Sequence, residues 1–76
     1  MMMDGFDLIG SSRTNARLTF SKENFTITYY SKGEGYGVVA NVTETGLVDD
    51  MPQFDYQSFD RLEKAVKYVN EKLKVV

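Results

Sequence analysis

Residues 25–43 read Phe-Thr-Ile-Thr-Tyr-Tyr-Ser-Lys-Gly-Glu-Gly-Tyr-Gly-Val-Val-Ala-Asn-Val-Thr. Phe25, Ile27 and Tyr29 alternate with Thr26, Thr28 and Tyr30, the period-two pattern of a strand with one face in a core. Lys32-Gly33-Glu34-Gly35 follows as a hairpin turn. Tyr36, Val38, Ala40 and Val42 then repeat the alternation, which predicts a second strand over about 36–43. A phosphate-binding loop at Gly33–Gly37 is excluded, because such a loop must open a helix whose N–H groups hold the anion, and here a strand follows.

Upstream, Ala16, Leu18 and Phe20 face one way with Arg17 and Thr19 the other, and Ser21–Asn24 is a polar turn. This predicts a third strand. Residues 6–9 either add a strand or lie along the sheet. Downstream, Thr45-Gly46 reads as a turn. Asp49, Asp50 and Pro52 interrupt 47–57, so any strand near Gln53–Tyr56 is short and at an edge.

The C-terminus changes period. Phe59, Leu62, Val66, Val69, Leu73 and Val76 are spaced by three and four, which predicts an amphipathic helix over about 59–74. Ser58 is the expected N-cap. Asp60 falls in the first turn, where the helix dipole favours negative charge. Glu63 and Lys67 stand at the i,i+4 spacing of an ion pair. The expected fold is α+β: a three- to four-stranded antiparallel meander packed by one C-terminal helix, the only apolar surface available to cover it. All 76 residues form one domain, with 1–14 loosely ordered.

Composition narrows the function. The chain has no Cys and no His. That excludes a disulfide scaffold, the usual zinc sites and every His-dependent nucleophile. Asp49, Asp50 and Asp55 lack the alternate spacing, central Gly and terminal Glu of a calcium loop. Carboxylates held in a cleft can do acid–base chemistry, but one sheet under one helix leaves little room for a cleft. The expectation is a non-enzymatic protein without cofactor or metal. The apolar residues of the N-terminus are broken by Asp4 and Asp7, which does not fit a signal peptide, and no run approaches a membrane span. The expected location is cytoplasmic.

Charge is segregated. Residues 1–37 are neutral in sum, 38–60 carry five acidic and no basic residues, and 61–76 carry five basic and two acidic. A solvated acidic loop before a Lys-rich helix accounts for this; so does a bipolar surface that steers a charged partner. On the second account the partner-binding residues are Arg61, Lys64, Tyr68 and Lys72 on the helix, with Glu44, Asp49, Asp50 and Asp55 at the acidic pole. In the alternative arrangement Tyr68 lies flat over the sheet edge. Nucleic acid is the less favoured partner. Arg17, Lys22, Tyr30 and Lys32 suit single-strand stacking on an open sheet face, but a sequence pI near 4.9 opposes phosphate binding.

One resemblance extends over about 25–73. The stretches Phe-Thr-Ile-Thr-Tyr-Tyr-Ser-Lys-Gly at 25–33, Val-Val-Ala-Asn-Val at 38–42 and Phe-Asp-Tyr-Gln-Ser-Phe-Asp at 54–60, before Leu62 and Val66, are similar to small phage and mobile-element proteins built as a sheet plus C-terminal helix. Type I-F anti-CRISPR inhibitors are among these. The resemblance matches no diagnostic residue and transfers none. It implies a small accessory protein, an inhibitor acting by stoichiometric binding to a host complex, present as a monomer or homodimer.

Overall fold

The alternation of Phe25, Ile27 and Tyr29 places β3 (Phe25–Ser31) at the centre of a sheet, flanked by β2 (Arg17–Lys22) and β4 (Val38–Val48). Outside them run β1 (Asp7–Ser12) and β5 (Met51–Phe59), and α1 (Leu62–Leu73) closes the chain. This computed structural model describes residues 5–13, 16–33 and 35–74. The fold is α+β, one open antiparallel sheet in the order β1-β2-β3-β4-β5 with one helix. No helix among the described residues is long and apolar enough to cross a membrane.

Residues directly opposite in an antiparallel pair share a face. Ile27 stands opposite Phe20 and Val42, and Tyr29 opposite Leu18 and Ala40, so these residues line the helix side. From the helix, Ala65, Val66 and Val69 meet Phe25, Ile27, Ala40 and Val42 in a fully buried cluster. Leu62, Leu73, Phe20, Tyr29 and Phe59 close its rim. Each large aliphatic side chain in this cluster contributes about 1.5–3 kcal/mol of burial. The expected stripe is therefore correct at Leu62, Val66, Val69 and Leu73, while Val76 lies outside the described residues.

Several expectations are corrected. The sheet has five strands, not three or four. Residues 7–12 form β1 rather than a loose segment, although residues 1–4 and 14 of that stretch lie outside the described residues. Tyr36 is 77% exposed and precedes the strand. Gly35 and Gly37 on either side of it both have φ near +80°, a left-handed conformation that interrupts the alternation. Leu18 and Val38 lie on the helix side but are more than a third exposed, because the helix does not reach over them.

Thr45-Gly46 is not a turn. Thr45 pairs with Phe54 and Gly46 with Gln53, so β4 continues through both. The turn lies at Asp49-Asp50, with φ of 52° and 63°. Two central residues at positive φ make a type I′ hairpin, whose twist matches the flanking strands. Asp tolerates this conformation better than most residues, because its short side chain bonds the local backbone. β5 is consequently nine residues long and includes Pro52.

The helix also starts later than the periodicity suggests. Phe59 is the last residue of β5, and Arg61 occupies the N-cap position with no side-chain hydrogen bond. Ser58 caps nothing. It sits in β5 opposite Asn41, and its hydroxyl donates to Asn41 Oδ1 at 2.7 Å. Asp60 precedes the helix, leaving Glu63 as the acidic residue of the first turn, where it pairs with Arg61 at 3.4 Å.

Candidate functional site: the open hairpin ribbon

β3 pairs with β4 only from Val38 to Glu44, whereas β5 pairs with β4 as far as Val48. Beyond Glu44 the two strands leave the sheet as a ribbon. Its root is clamped by Asn24, whose carbonyl accepts from the Thr45 N–H at 2.9 Å and whose Nδ2 donates to the Thr45 carbonyl at 2.6 Å. The radius of gyration is 13.1 Å, against about 11 Å for a compact chain of this length.

The two ribbon faces differ. On the side away from the helix, Leu47 stands opposite Pro52, Thr45 opposite Phe54 and Thr43 opposite Tyr56. Leu47 is 72% exposed, Phe54 54% and Tyr56 69%. On the helix side Val48 faces Met51 at the tip, both exposed, and Gly46 faces Gln53. Glu44 faces Asp55, a like-charge pair that opposes the hairpin. The exposed apolar residues therefore fall into two groups, Leu47, Phe54 and Tyr56 on the open face and Val48 with Met51 on the helix side of the tip, and such exposed groups rimmed by polar residues mark interaction sites. Of the expected acidic pole, Asp49 and Asp50 form the ribbon's tip, while Glu44 and Asp55 stand opposite each other at its root. Leu47, Val48, Met51, Phe54 and Tyr56 escape the sequence reading, because a turn at Thr45-Gly46 dissolves the strand that displays them. The signal was the alternation of Phe54 and Tyr56 behind a two-residue Asp-Asp turn.

Lys64, Tyr68 and Lys72 lie along one side of α1 with Arg61 at its N-cap, and each is engaged within the chain. Lys64 pairs with Asp60 at 2.9 Å, an i,i+4 contact, and Arg61 with Glu63. The Lys64 ammonium, by its hydrogen bond to the Asp60 side chain, holds the Asp60 carboxyl below its ordinary value near 3.8. Tyr68 is half-buried against Phe59, ring centroids 5.4 Å apart and tilted, and the Lys72 ammonium lies 5.7 Å from its ring. Tyr68 thus lies over the sheet edge, as in the alternative arrangement. Its ring is committed to the fold, which weakens it as an anchor.

The nucleic-acid set divides. Arg17 and Tyr30 are direct cross-strand partners on the open face. With Lys32 and Thr28 they line a shallow hollow of about 590 Å³. The Tyr30 hydroxyl accepts from Asn41 Nδ2 at 3.3 Å, so Ser58, Asn41 and Tyr30 form a polar chain across β5, β4 and β3. Lys22 is on the other face. Its ammonium donates to Asn70 Oδ1 at 2.8 Å and lies 5.1 Å from the Phe6 ring. There it lines an open groove of about 1160 Å³ between α1 and the β2–β3 turn, with Val66 and Leu73 as the apolar part. The groove mixes Lys64, Lys67 and Lys74 with Glu63 and Glu71, so it has no strong charge preference.

Among the described residues no three metal-ligating side chains gather. Compared with protein-family models, curated proteins and solved structures, the chain matches none.

Proposed function

We propose that the protein is a stoichiometric protein-binding module, and that the β4–β5 ribbon is its docking element. The observation that carries this reading is the exposed face of Leu47, Phe54 and Tyr56, which starts at the ribbon's root and runs past the last β3 contact. Side chains placed there add little to the core, and aromatic residues ringed by charge are the usual centres of binding energy. The acidic rim favours a partner surface with an apolar pocket set among Lys and Arg. The role of accessory or inhibitor of a host complex, of phage or mobile-element origin, rests on the sheet-plus-helix resemblance alone and is part of the proposal, as is the absence of enzymatic activity. The test is recovery of a partner from host lysate on the immobilised protein, followed by kinetics on variants. Leu47→Lys and Phe54→Ala should speed dissociation at least tenfold, while Arg61→Ala leaves it unchanged. Loss of binding on Arg61→Ala with both ribbon variants unaffected would move the site to the helix.

A second reading is single-stranded nucleic-acid binding, favoured by the Arg17, Tyr30 and Lys32 hollow on the open face. A gel shift on single-stranded DNA that is absent at low salt would remove it.

A further inference from the structure

The outer edge of β5 has a backbone pattern that can be read from the ribbon's root. Thr45 directs both its N–H and its C=O at Asn24, away from β5. Thr45 and Phe54 are therefore a non-hydrogen-bonded pair, and such pairs alternate with hydrogen-bonded ones along the ladder. It follows that Phe54, and with it Pro52, Tyr56 and Ser58, turn their backbone groups outward, away from β4. Pro52 agrees with this, since its missing N–H then costs β4 nothing. The result is a nine-residue strand, regular from Phe59 to Met51, whose outer edge pairs with no other strand among the described residues. The other edge of the sheet is different. β1 is six residues long and bulged between Leu8 and Gly10, a device that blunts edges.

We propose that two copies of the chain join through β5, antiparallel, about a two-fold axis at Tyr56, making one continuous ten-stranded sheet. Three possible centres can be compared. An axis at Asp55 sets Asp55 against Asp55 of the second copy and, with Glu44 opposite each, lines up four carboxylates in one row. An axis at Phe54 sets Pro52, which has no donor, against Tyr56. An axis at Tyr56 avoids both. Tyr56 then meets Tyr56 of the second copy as a hydrogen-bonded pair, and Phe54 meets Ser58, each with outward-facing groups. On the helix side Asp55 meets Gln57, whose amide can donate to the carboxylate. The paired segment is Gln53–Phe59, about 23 Å long, and Pro52 lies just outside it. The row Thr43–Tyr56 meets its own copy, so the two Tyr56 rings stand side by side across the junction on the open face. The two edges together bury on the order of 1,000 Å², the lower end of specific interfaces, which makes the dimer concentration-dependent. Edge pairing leaves the ribbon tip and the open faces uncovered. It rests on the β5 backbone and is independent of the partner-binding reading.

The chain has no Cys, so a single introduced one is an unambiguous reporter. Asp55 and Gln57 of two copies would form a non-hydrogen-bonded pair with Cα atoms about 4.5 Å apart, within disulfide reach. Asp55→Cys and Gln57→Cys proteins should each cross-link slowly alone and rapidly to each other when mixed under mild oxidation. Sedimentation equilibrium of the unmodified chain should show a monomer–dimer equilibrium. Gln57→Glu, which sets a carboxylate opposite Asp55 twice, should weaken it about tenfold. Tyr56→Pro removes the central outward donor without touching the β4 ladder and should abolish it, with circular dichroism verifying that the variant is folded. A chain that stays monomeric at millimolar concentration, or a mixture that cross-links no faster than the single proteins, overturns the proposal. So does a β5 edge that captures an extended peptide but no second copy.

Discussion

β4 belongs to two different environments. From Val38 to Glu44 it lies between β3 and β5, with Ala40 and Val42 sealed under the helix. From Thr45 to Val48 it has β5 alone, and Leu47 and Val48 are open to solvent. Both halves carry apolar residues at strand spacing. Covered on its helix side by α1, the first half converts them into stability. The second has neither face covered among the described residues, and its apolar residues remain available. Periodicity records that a residue is on a strand, not whether anything covers it.

The largest effect that tests this contrast is in the covered half. Ile27→Ala removes a fully buried side chain beneath Val66 and Val69 and should cost about 2–4 kcal/mol. In so small a core that is most of the stability. An urea midpoint close to the parent's would mean that the helix does not seal the sheet. In the open half, Phe54→Ala should change stability by no more than about 0.5 kcal/mol, although Phe54 is the larger side chain. A loss comparable to that of Ile27→Ala would show the ribbon to be packed in solution.

Ser58 lies where the two environments meet. Ser58→Ala should cost about 1 kcal/mol by removing its donation to Asn41. Ser58→Asp should be no better, because an ionised carboxylate cannot donate to Asn41 Oδ1; a stabilising Asp, read by thermal melting, would instead restore this residue as the helix cap. At the tip, replacing Asp49-Asp50 with Asn-Gly, the pair that suits a type I′ turn, should stabilise the hairpin by about 0.5–1 kcal/mol. Denaturant unfolding would reveal little of this gain if the ribbon opens before the body does.

The smallest effect belongs to Asp60. Its carboxyl is held below the ordinary value by Lys64, so the pair supports the folded state above that value and loses its contribution as pH falls through the lowered one. The pair is exposed, and the effect is correspondingly slight. Asp60→Asn should flatten only the acid limb, below about pH 4, in a melting series; a difference between the two proteins at neutral pH larger than at pH 3 by no measurable amount would disprove the coupling.

The fold class and most of the core were legible, because Phe25, Ile27, Ala40, Val42, Val66 and Val69 each stand in a clean local period. What was not legible had competing local signals. Gly46 looks like punctuation, yet it sits in a strand with open space where a Cβ would be. Ser58 suits a helix cap, yet cross-strand pairing with Asn41 outweighs that preference. Of the candidate site, the acidic residues divide between the ribbon's tip, Asp49 and Asp50, and its root, Glu44 opposite Asp55, and their apolar neighbours were hidden with the strand that carries them. Arg17 and Tyr30 share the open face as their alternation suggests, and Lys32 from the following turn lines the same hollow. Lys22 was lost from that set because it shares the helix-side face with Phe20 and Leu18.

The Asn24 clamp sets the mechanics of the molecule. The hairpin is rooted in the sheet through β4 and β5, and Asn24 of the β2–β3 turn, holding both polar groups of Thr45, braces it from the side. Motion of the ribbon must then be transmitted to the β2–β3 turn, whose Glu23 already sits at a positive φ. Amides beyond Gly46, in a segment paired with β5 and not with β3, should exchange apart from those beneath the helix. A partner that grips the tip therefore pulls on the sheet along β4 and β5, and the sideways leverage on the Asn24 brace grows with every residue the ribbon extends past it.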